Sequence, residues 1–190
     1  MRLFVALKVP EPVRAEVGRR LDRVKPALPA ARFVPADLLH LTLVFLGETD
    51  PALRPALEQS LAASFARHAP LALQLAGGGT FPAGKPARVA WVGVECDGGL
   101  GALQEAVAAA TAEAIGRRVE KRPFHPHLTL ARCRRPWLRR PAAAWAEAFG
   151  GAVGEAFRAE AGVLFESRLS SNGAIHEALA TFPLAGGTGR

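Results

Sequence analysis

The sequence predicts an α+β fold in which two pseudo-symmetric lobes of antiparallel β-sheet, clad by outer helices, face a central cleft. Three observations carry the prediction. The tetrapeptide His-Leu-Thr-Leu occurs twice, at His40 to Leu43 and His127 to Leu130, each time in a strand-like segment that follows a helix-like one. The dipeptide Asn172-Gly173 stands between two apolar runs, the composition of a tight hairpin. Helical and strand periodicities interleave along the chain, yet the hairpin signals outweigh those of βαβ units, which disfavours a doubly wound parallel sheet.

The elements follow in order. Arg2 to Val9 is apolar and β-rich and reads as a strand ended by Pro10. Glu11 and Pro12 suit a first helical turn, and Val13, Val17, Leu21 and Val24 recur at helical spacing until Pro26. Phe33 to Pro35 is a short extended piece, and Leu39 to Leu46 a strand ended by Gly47. Asp50 is a candidate N-cap with Pro51 in the first turn, and Leu53, Leu57, Leu61 and Phe65 carry a helix to about His68. Leu71, Leu73 and Leu75 alternate into Gly77-Gly78-Gly79, which lacks the spacing of a nucleotide-binding loop and reads as a flexible turn. A strand over Val89 to Val94 precedes an alanine-rich helix from about Gly99 to Ile115, with Leu103, Val107, Ala110 and Ala114 inward. Phe124 to Arg132 is the second motif strand, Trp137 to Phe149 a further helix, and Phe157 to Arg168 with Ala174 to Leu184 the closing hairpin.

At 190 residues and 49% hydrophobic content the chain has material for a buried core, and residues 1–190 are read as a single two-lobed domain. Cys96 and Cys133 show no zinc or disulfide spacing, so both are read as reduced thiols. The N-terminus becomes charged after five apolar residues, and no later run reaches the roughly 18 apolar residues of a membrane span. A soluble, cytoplasmic, monomeric protein with no membrane partner is expected. The formal net charge of +7 favours polyanionic partners. Arginine and alanine bias with no tyrosine also fits a GC-rich coding sequence. Position adds weight to the first reading: Arg117, Arg118, Lys121, Arg122, Arg132, Arg134, Arg135, Arg139 and Arg140 crowd around the second motif, opposed by Glu120 alone.

Chance alone predicts roughly 0.3 occurrences of histidine followed two positions later by serine or threonine in such a composition, so two identical tetrapeptides are informative. On a strand, residues two apart share a face, which puts His40 beside Thr42 and His127 beside Thr129, with the intervening leucines in the core. Two such strands about a pseudo-twofold axis would gather two imidazoles and two hydroxyls around a space fit for a tetrahedral phosphate. One neutral imidazole can accept a proton while the other, charged, donates one. A metal site is the rival reading, since histidine is a common ligand and His125 or His176 could join the pair. No carboxylate or cysteine is spaced to complete such a set, and neither metal nor cofactor is expected.

His40 to Gly47 and Pro123 to Arg132 resemble the two signature segments of the 2H phosphoesterase superfamily, most closely its bacterial and archaeal RNA 2′,3′-cyclic phosphodiesterases, first named 2′-5′ RNA ligases. The likeness extends to Arg2 to Ala6, Arg88 to Gly93 and Leu164 to Ser167. The resemblance implies hydrolysis of 2′,3′-cyclic phosphate ends to 2′-phosphomonoesters. His40 would be the proton donor to the departing 3′ oxygen and His127 the proton acceptor from water, while Thr42 and Thr129 hold phosphoryl oxygens. Arg132 matches the arginine that closes the second motif. The implied partners are RNA or nucleotides with a 2′,3′-cyclic phosphate, tRNA fragments among them. Phe4, Phe33 and Trp137 are candidates to stack a base. His176 departs from the pattern, standing where many relatives carry an aromatic residue. Alternatives with the same residues are 2′-5′ ligation of RNA in the same cleft, an RNA-end binding module without turnover, and a hydrolase for a small cyclic nucleotide.

Overall fold

A computed structural model describes residues 1–119, 123–170 and 173–186. The expected Lys121, Arg122 and Glu120 of the basic cluster, and Ser171 and Asn172 of the hairpin turn, lie outside these. The described elements are β1 (Arg2–Lys8), α1 (Glu11–Val24), β2 (Ala31–Phe33), β3 (His40–Glu48), α2 (Arg54–Phe65), β4 (Leu71–Phe81), β5 (Ala87–Cys96), α3 (Leu100–Ile115), β6 (His127–Trp137), α4 (Arg139–Ala148), β7 (Ala152–Ala159), β8 (Ala161–Ser170) and β9 (Gly173–Pro183). They build the α+β architecture that the sequence predicts. One sheet has the strand order β3-β1-β8-β9 and the other β2-β6-β5-β4-β7, with every pairing antiparallel.

The sheets do not correspond to the two halves of the chain. The first sheet takes β1 and β3 from the beginning and β8 and β9 from the end, and the second takes the strands between. Helices cross over as well. α1 leaves the first sheet to pack on β7, and α3 leaves the second to pack on β3. α2 joins α3 behind the first sheet, and α4 joins α1 behind the second. A single apolar core therefore contains residues from both sheets and all four helices, among them Val17, Leu61, Leu103 and Trp145. Burial of this continuous apolar surface ties the two lobes together.

Several boundaries differ from the sequence reading. Gly77 to Gly79 do not form a turn, because β4 runs on through them to Phe81. The small size of Gly78 and Gly79 serves close packing. A Cβ on Gly79 would run into the indole of Trp91, and one on Gly78 would lie 2.8 Å from Phe149. Trp137 ends β6 instead of opening a helix, and the second motif strand starts at His127, after an irregular stretch over residues 123–126. Asp50 does cap, its side chain accepting from the Ala52 amide, but it caps a single 3₁₀ turn ahead of α2. β8 and β9 pair antiparallel out to Ser170 and Gly173, so the expected hairpin is present, with Gly173 itself a paired residue of β9.

Candidate active site

The two tetrapeptides open β3 and β6, and their surroundings repeat in detail. In both strands the histidine and threonine are half-buried, the two leucines are buried, the next residue (Val44 or Ala131) is buried, and the one after it (Phe45 or Arg132) is exposed. Two buried residues in succession break strand alternation, and a β-bulge accounts for this. Thr42 pairs with Ala6 and Val44 with Val5, so Leu43 is the extra residue. Thr129 pairs with Trp91 and Ala131 with Ala90, so Leu130 occupies the same place in β6. The bulge returns Phe45 and Arg132 to the face that carries the histidines and threonines.

Carbonyls at the bulges are satisfied differently in the two lobes. β3 is an edge strand, and its free carbonyls accept from helix α3 and the turn after it: Gln104 bonds Leu43, and Arg117 bonds Leu46 and Glu48. In β6 the short strand β2 covers that edge, with the Val34 amide donating to Leu130 at 2.8 Å. Arg117, expected in an anion-attracting cluster, is thus committed to bracing the first motif strand.

The course of the chain brings the motifs together. β2 pairs with the part of β6 just beyond Thr129, Phe33 opposite Ala131, and seven residues later the chain enters β3 at His40. β3 and β6 approach each other across the cleft. Both imidazoles are held alike. Nδ1–H of His40 donates to the carbonyl of Leu38 at 2.7 Å, and Nδ1–H of His127 donates to the carbonyl of His125 at 2.6 Å. Since a carbonyl can only accept, each bond fixes the tautomer, and Nε2 is left as the nitrogen free to exchange a proton.

Burial pushes the His40 imidazole down to about 4; the Leu38 carbonyl opposes this, and the charges of His176 and His127 add to the lowering. The two motif histidines are therefore within electrostatic reach of each other. Burial also lowers His127, opposed by the His125 carbonyl, with the charges of His125 and Arg132 adding to the effect. Arg132 is accordingly near its motif histidine, as the bulge requires.

Two unlike aromatic walls flank the imidazoles. On the first sheet a small apolar cluster of Phe4, Ala6, Val163 and Phe165 stands apart from the main core. Phe4 stacks on Phe165 with centroids 5.1 Å apart and lies 4.8 Å from the His40 ring. His176, on β9, meets Phe4 at 4.9 Å and His40 at 5.2 Å, both edge-on. Phe45 is 54% exposed and packs 5.9 Å from Phe4. On the second sheet Phe81 lies 5.1 Å and Trp91 5.9 Å from the His127 ring, and His125 packs edge-on against Trp91 at 4.8 Å. The Trp145 indole, donating to the Trp91 carbonyl at 2.9 Å, anchors this wall to helix α4.

Of the residues expected to stack a base, Trp137 is 1% exposed in the core with Trp145, and Phe33 packs beneath Lys25, so neither faces the cleft. Phe4 does reach the site but is buried as support for His40. Phe45, Phe81, Trp91 and Phe165 escape a reading of the sequence, because nothing local distinguishes a cleft-facing aromatic from a core one. Among the described residues no three of histidine, cysteine, aspartate and glutamate converge as metal ligands.

Residues 9–163 match the 2′-5′ RNA ligase superfamily. The chain belongs to that superfamily. Within it, this member is 34% identical to the RNA 2′,3′-cyclic phosphodiesterase of Thermus thermophilus over all of its own length and 93% of the relative. It is 33% identical to that of Geobacillus stearothermophilus over 68% of its length, spanning 41% of that longer relative. The crystal structure of the Thermus thermophilus protein TT0787 superposes with a TM-score of 0.82 at 33% identity, covering 98% of this chain and 99% of the other. Escherichia coli LigT complexed with 3′-AMP gives 0.78 at 27% identity over 96% and 97%. No helix among the described residues is long and apolar enough to cross a membrane.

Proposed function

We propose that this superfamily member hydrolyses RNA or nucleoside 2′,3′-cyclic phosphate ends to 2′-phosphomonoesters by two-histidine acid–base catalysis, with no metal. The observation that carries the reading is the matched pair of imidazoles, each with Nδ1–H tied to the carbonyl two residues earlier and Nε2 left free. The names and likeness of the relatives, and the nucleotide bound to the E. coli protein, support the substrate class.

In the proposed reaction a water oxygen attacks phosphorus and gives its proton to Nε2 of neutral His127. The bond from phosphorus to the ribose 3′ oxygen breaks, and that oxygen takes the Nε2 proton of charged His40. The 2′ ester survives. Proton exchange with solvent then restores both rings. Thr42 and Thr129, on the same faces as their histidines, donate hydrogen bonds to the non-bridging oxygens, and Arg132 supplies positive charge to the developing phosphorane. In the free protein burial disfavours the charged form of both rings, most strongly at His40, so the assigned roles require the bound phosphate anion to charge His40. Arg132 favours the neutral form of His127, the form in which a base must start. His40 is the more strongly desolvated ring, and its imidazolium is correspondingly a strong acid once the anionic substrate holds the charge in place.

The test is incubation of EDTA-treated protein with adenosine 2′,3′-cyclic phosphate, followed by chromatographic separation of 2′-AMP from 3′-AMP. The expected product is 2′-AMP alone, with a bell-shaped pH–rate profile. Full activity in His40→Ala, or loss of activity on chelation that added metal restores, would refute the reading.

A further inference from the structure

Strand β2 contributes a residue that the motifs do not announce. Arg32 stands directly opposite Arg132 in the β2–β6 pairing. The bonds from the Val34 amide to Leu130 (2.8 Å) and from the Arg134 amide to Ala30 (3.2 Å) flank the pair and make it a hydrogen-bonded position, where opposed Cα atoms are about 5.5 Å apart. Opposed residues project to the same face, so Arg32 shares the face of Arg132, and Arg134 follows two residues on. All three are exposed.

Like charges directly opposite on a sheet are destabilising. Among the described residues this pair has no carboxylate partner. Arg19, Arg20, Arg54 and Arg168 each have a carboxylate partner, and Arg117 is engaged with carbonyls, but no ion pair among the described residues involves Arg32, Arg132 or Arg134. β2 also has little freedom to move the charge away, since Phe33 is packed beneath Lys25 and the ladder bonds hold both sides. Meanwhile Arg132 is close enough for its charge to act on His127. The basic row thus begins at the candidate phosphate site and leads away from it along β6.

We propose that Arg32 and Arg134, with Arg132 between them and the imidazoles, form a second phosphate subsite that binds the phosphate 5′ of the terminal nucleoside. It would make an RNA strand a better substrate than a mononucleotide. The inference rests on the cyclic phosphodiesterase reading for the terminal phosphate, and adds the requirement for an anion one nucleotide inward. A guanidinium fork suits a phosphodiester, and paired forks on adjacent strands suit its two free oxygens.

The test compares adenosine 2′,3′-cyclic phosphate with a dinucleotide ending in a 2′,3′-cyclic phosphate, and with the same dinucleotide carrying an uncharged methylphosphonate linkage. The wild-type protein is expected to show a lower KM for the charged dinucleotide than for either of the others. Arg32→Gln should raise that KM about tenfold while leaving kcat, and both constants for the mononucleotide, within about twofold. Arg134→Gln should act in the same direction. Arg32→Gln should also melt no lower than the wild type without RNA, because it removes a repulsion. Equal effects on mononucleotide and charged dinucleotide, or none on either, would overturn the subsite. Should the wild-type protein turn over no cyclic phosphate, the reading of the first site fails. The subsite is then judged by calorimetric binding of a dinucleotide 2′-phosphate, which Arg32→Gln must weaken and the methylphosphonate linkage must weaken equally.

Discussion

His40 offers a prediction with a magnitude. Its imidazole lies near 4 in the folded protein, chiefly through burial, against about 6.5 in an unfolded chain. Between these values the unfolded chain binds a proton that the native site refuses, so stability falls as pH falls. The contribution is complete above about pH 6.5 and is lost on the way down to about 4. At roughly 1.4 kcal/mol per pKa unit, the proton costs the fold about 3 kcal/mol by pH 4. His40→Gln removes the titration while keeping a polar side chain of similar reach. Urea unfolding at pH 7.5 and pH 4 should then show the wild type losing about 3 kcal/mol more than the variant across that interval. An NMR titration should place His40 near 4 in the free protein. A titration midpoint near 6.5, or equal acid sensitivity in the two proteins, would refute the account of burial as the dominant force on this ring.

The same ring connects stability with catalysis. If His40 must be charged to act as the acid, the charge has to come with the substrate, because the free site disfavours it. A bound phosphate anion lowers the cost of the imidazolium by direct attraction. Binding of 2′-AMP should therefore take up protons near neutral pH and move the His40 midpoint upward.

Other substitutions test separate parts of the site. His127→Ala should lower kcat by roughly 10²–10⁴-fold, measured with adenosine 2′,3′-cyclic phosphate, as expected when a general base is removed. Thr42→Val and Thr129→Val each delete one hydrogen bond to a charged oxygen and should cost about 1.5–3 kcal/mol in kcat/KM. Gly79→Ala would drive a methyl group into the Trp91 indole; a loss of about 1–3 kcal/mol in stability and a change in tryptophan emission are expected. Leu128→Ala, at a fully buried position beneath the second motif, should cost about 2–5 kcal/mol in urea unfolding.

What the sequence discloses is periodic or repeated. Alternation alone places His40 with Thr42 and His127 with Thr129, because the faces of a strand follow from its pleat. The hairpin of β8 and β9 is legible through an Asn-Gly dipeptide between two apolar runs, although Gly173 pairs within β9. What is not legible depends on partners far along the chain. Gly79 reads as part of a turn because a glycine chosen for contact with Trp91 looks, in sequence, the same as one chosen for flexibility. Arg32 attracts no notice because its significance comes from a residue 100 positions away. The bulges at Leu43 and Leu130 leave no mark that a reader could separate from ordinary leucines, yet they decide that Phe45 and Arg132 face the cleft. Assignment of strands to sheets is hidden for the same reason: β8 joins β1 through a pairing that no local pattern encodes.

The repeated frame and the unlike residues within it divide the work of the site. Matched strands, bulges and carbonyl bonds give two imidazoles with the same free nitrogen, and a frame so symmetric supplies no reason for one to be the acid and the other the base. Distinction enters where equivalent positions differ. After the bulge the first lobe presents Phe45 and the second Arg132; opposite the threonine the first lobe presents Ala6 and the second Trp91. Arg132 acts on the His127 ring, whereas Phe45 at the corresponding place packs on Phe4 and brings no charge to His40, so the two environments are electrostatically unequal. The second guanidinium that register brings to Arg132, from Arg32, lies in that same lobe. Positive charge therefore accumulates beside the ring that the proposed mechanism needs neutral, and where the proposed RNA strand would leave the cleft. In the proposed mechanism the arginine row along β6 adds to burial in keeping His127 neutral, and in the proposed subsite it gives the substrate its direction.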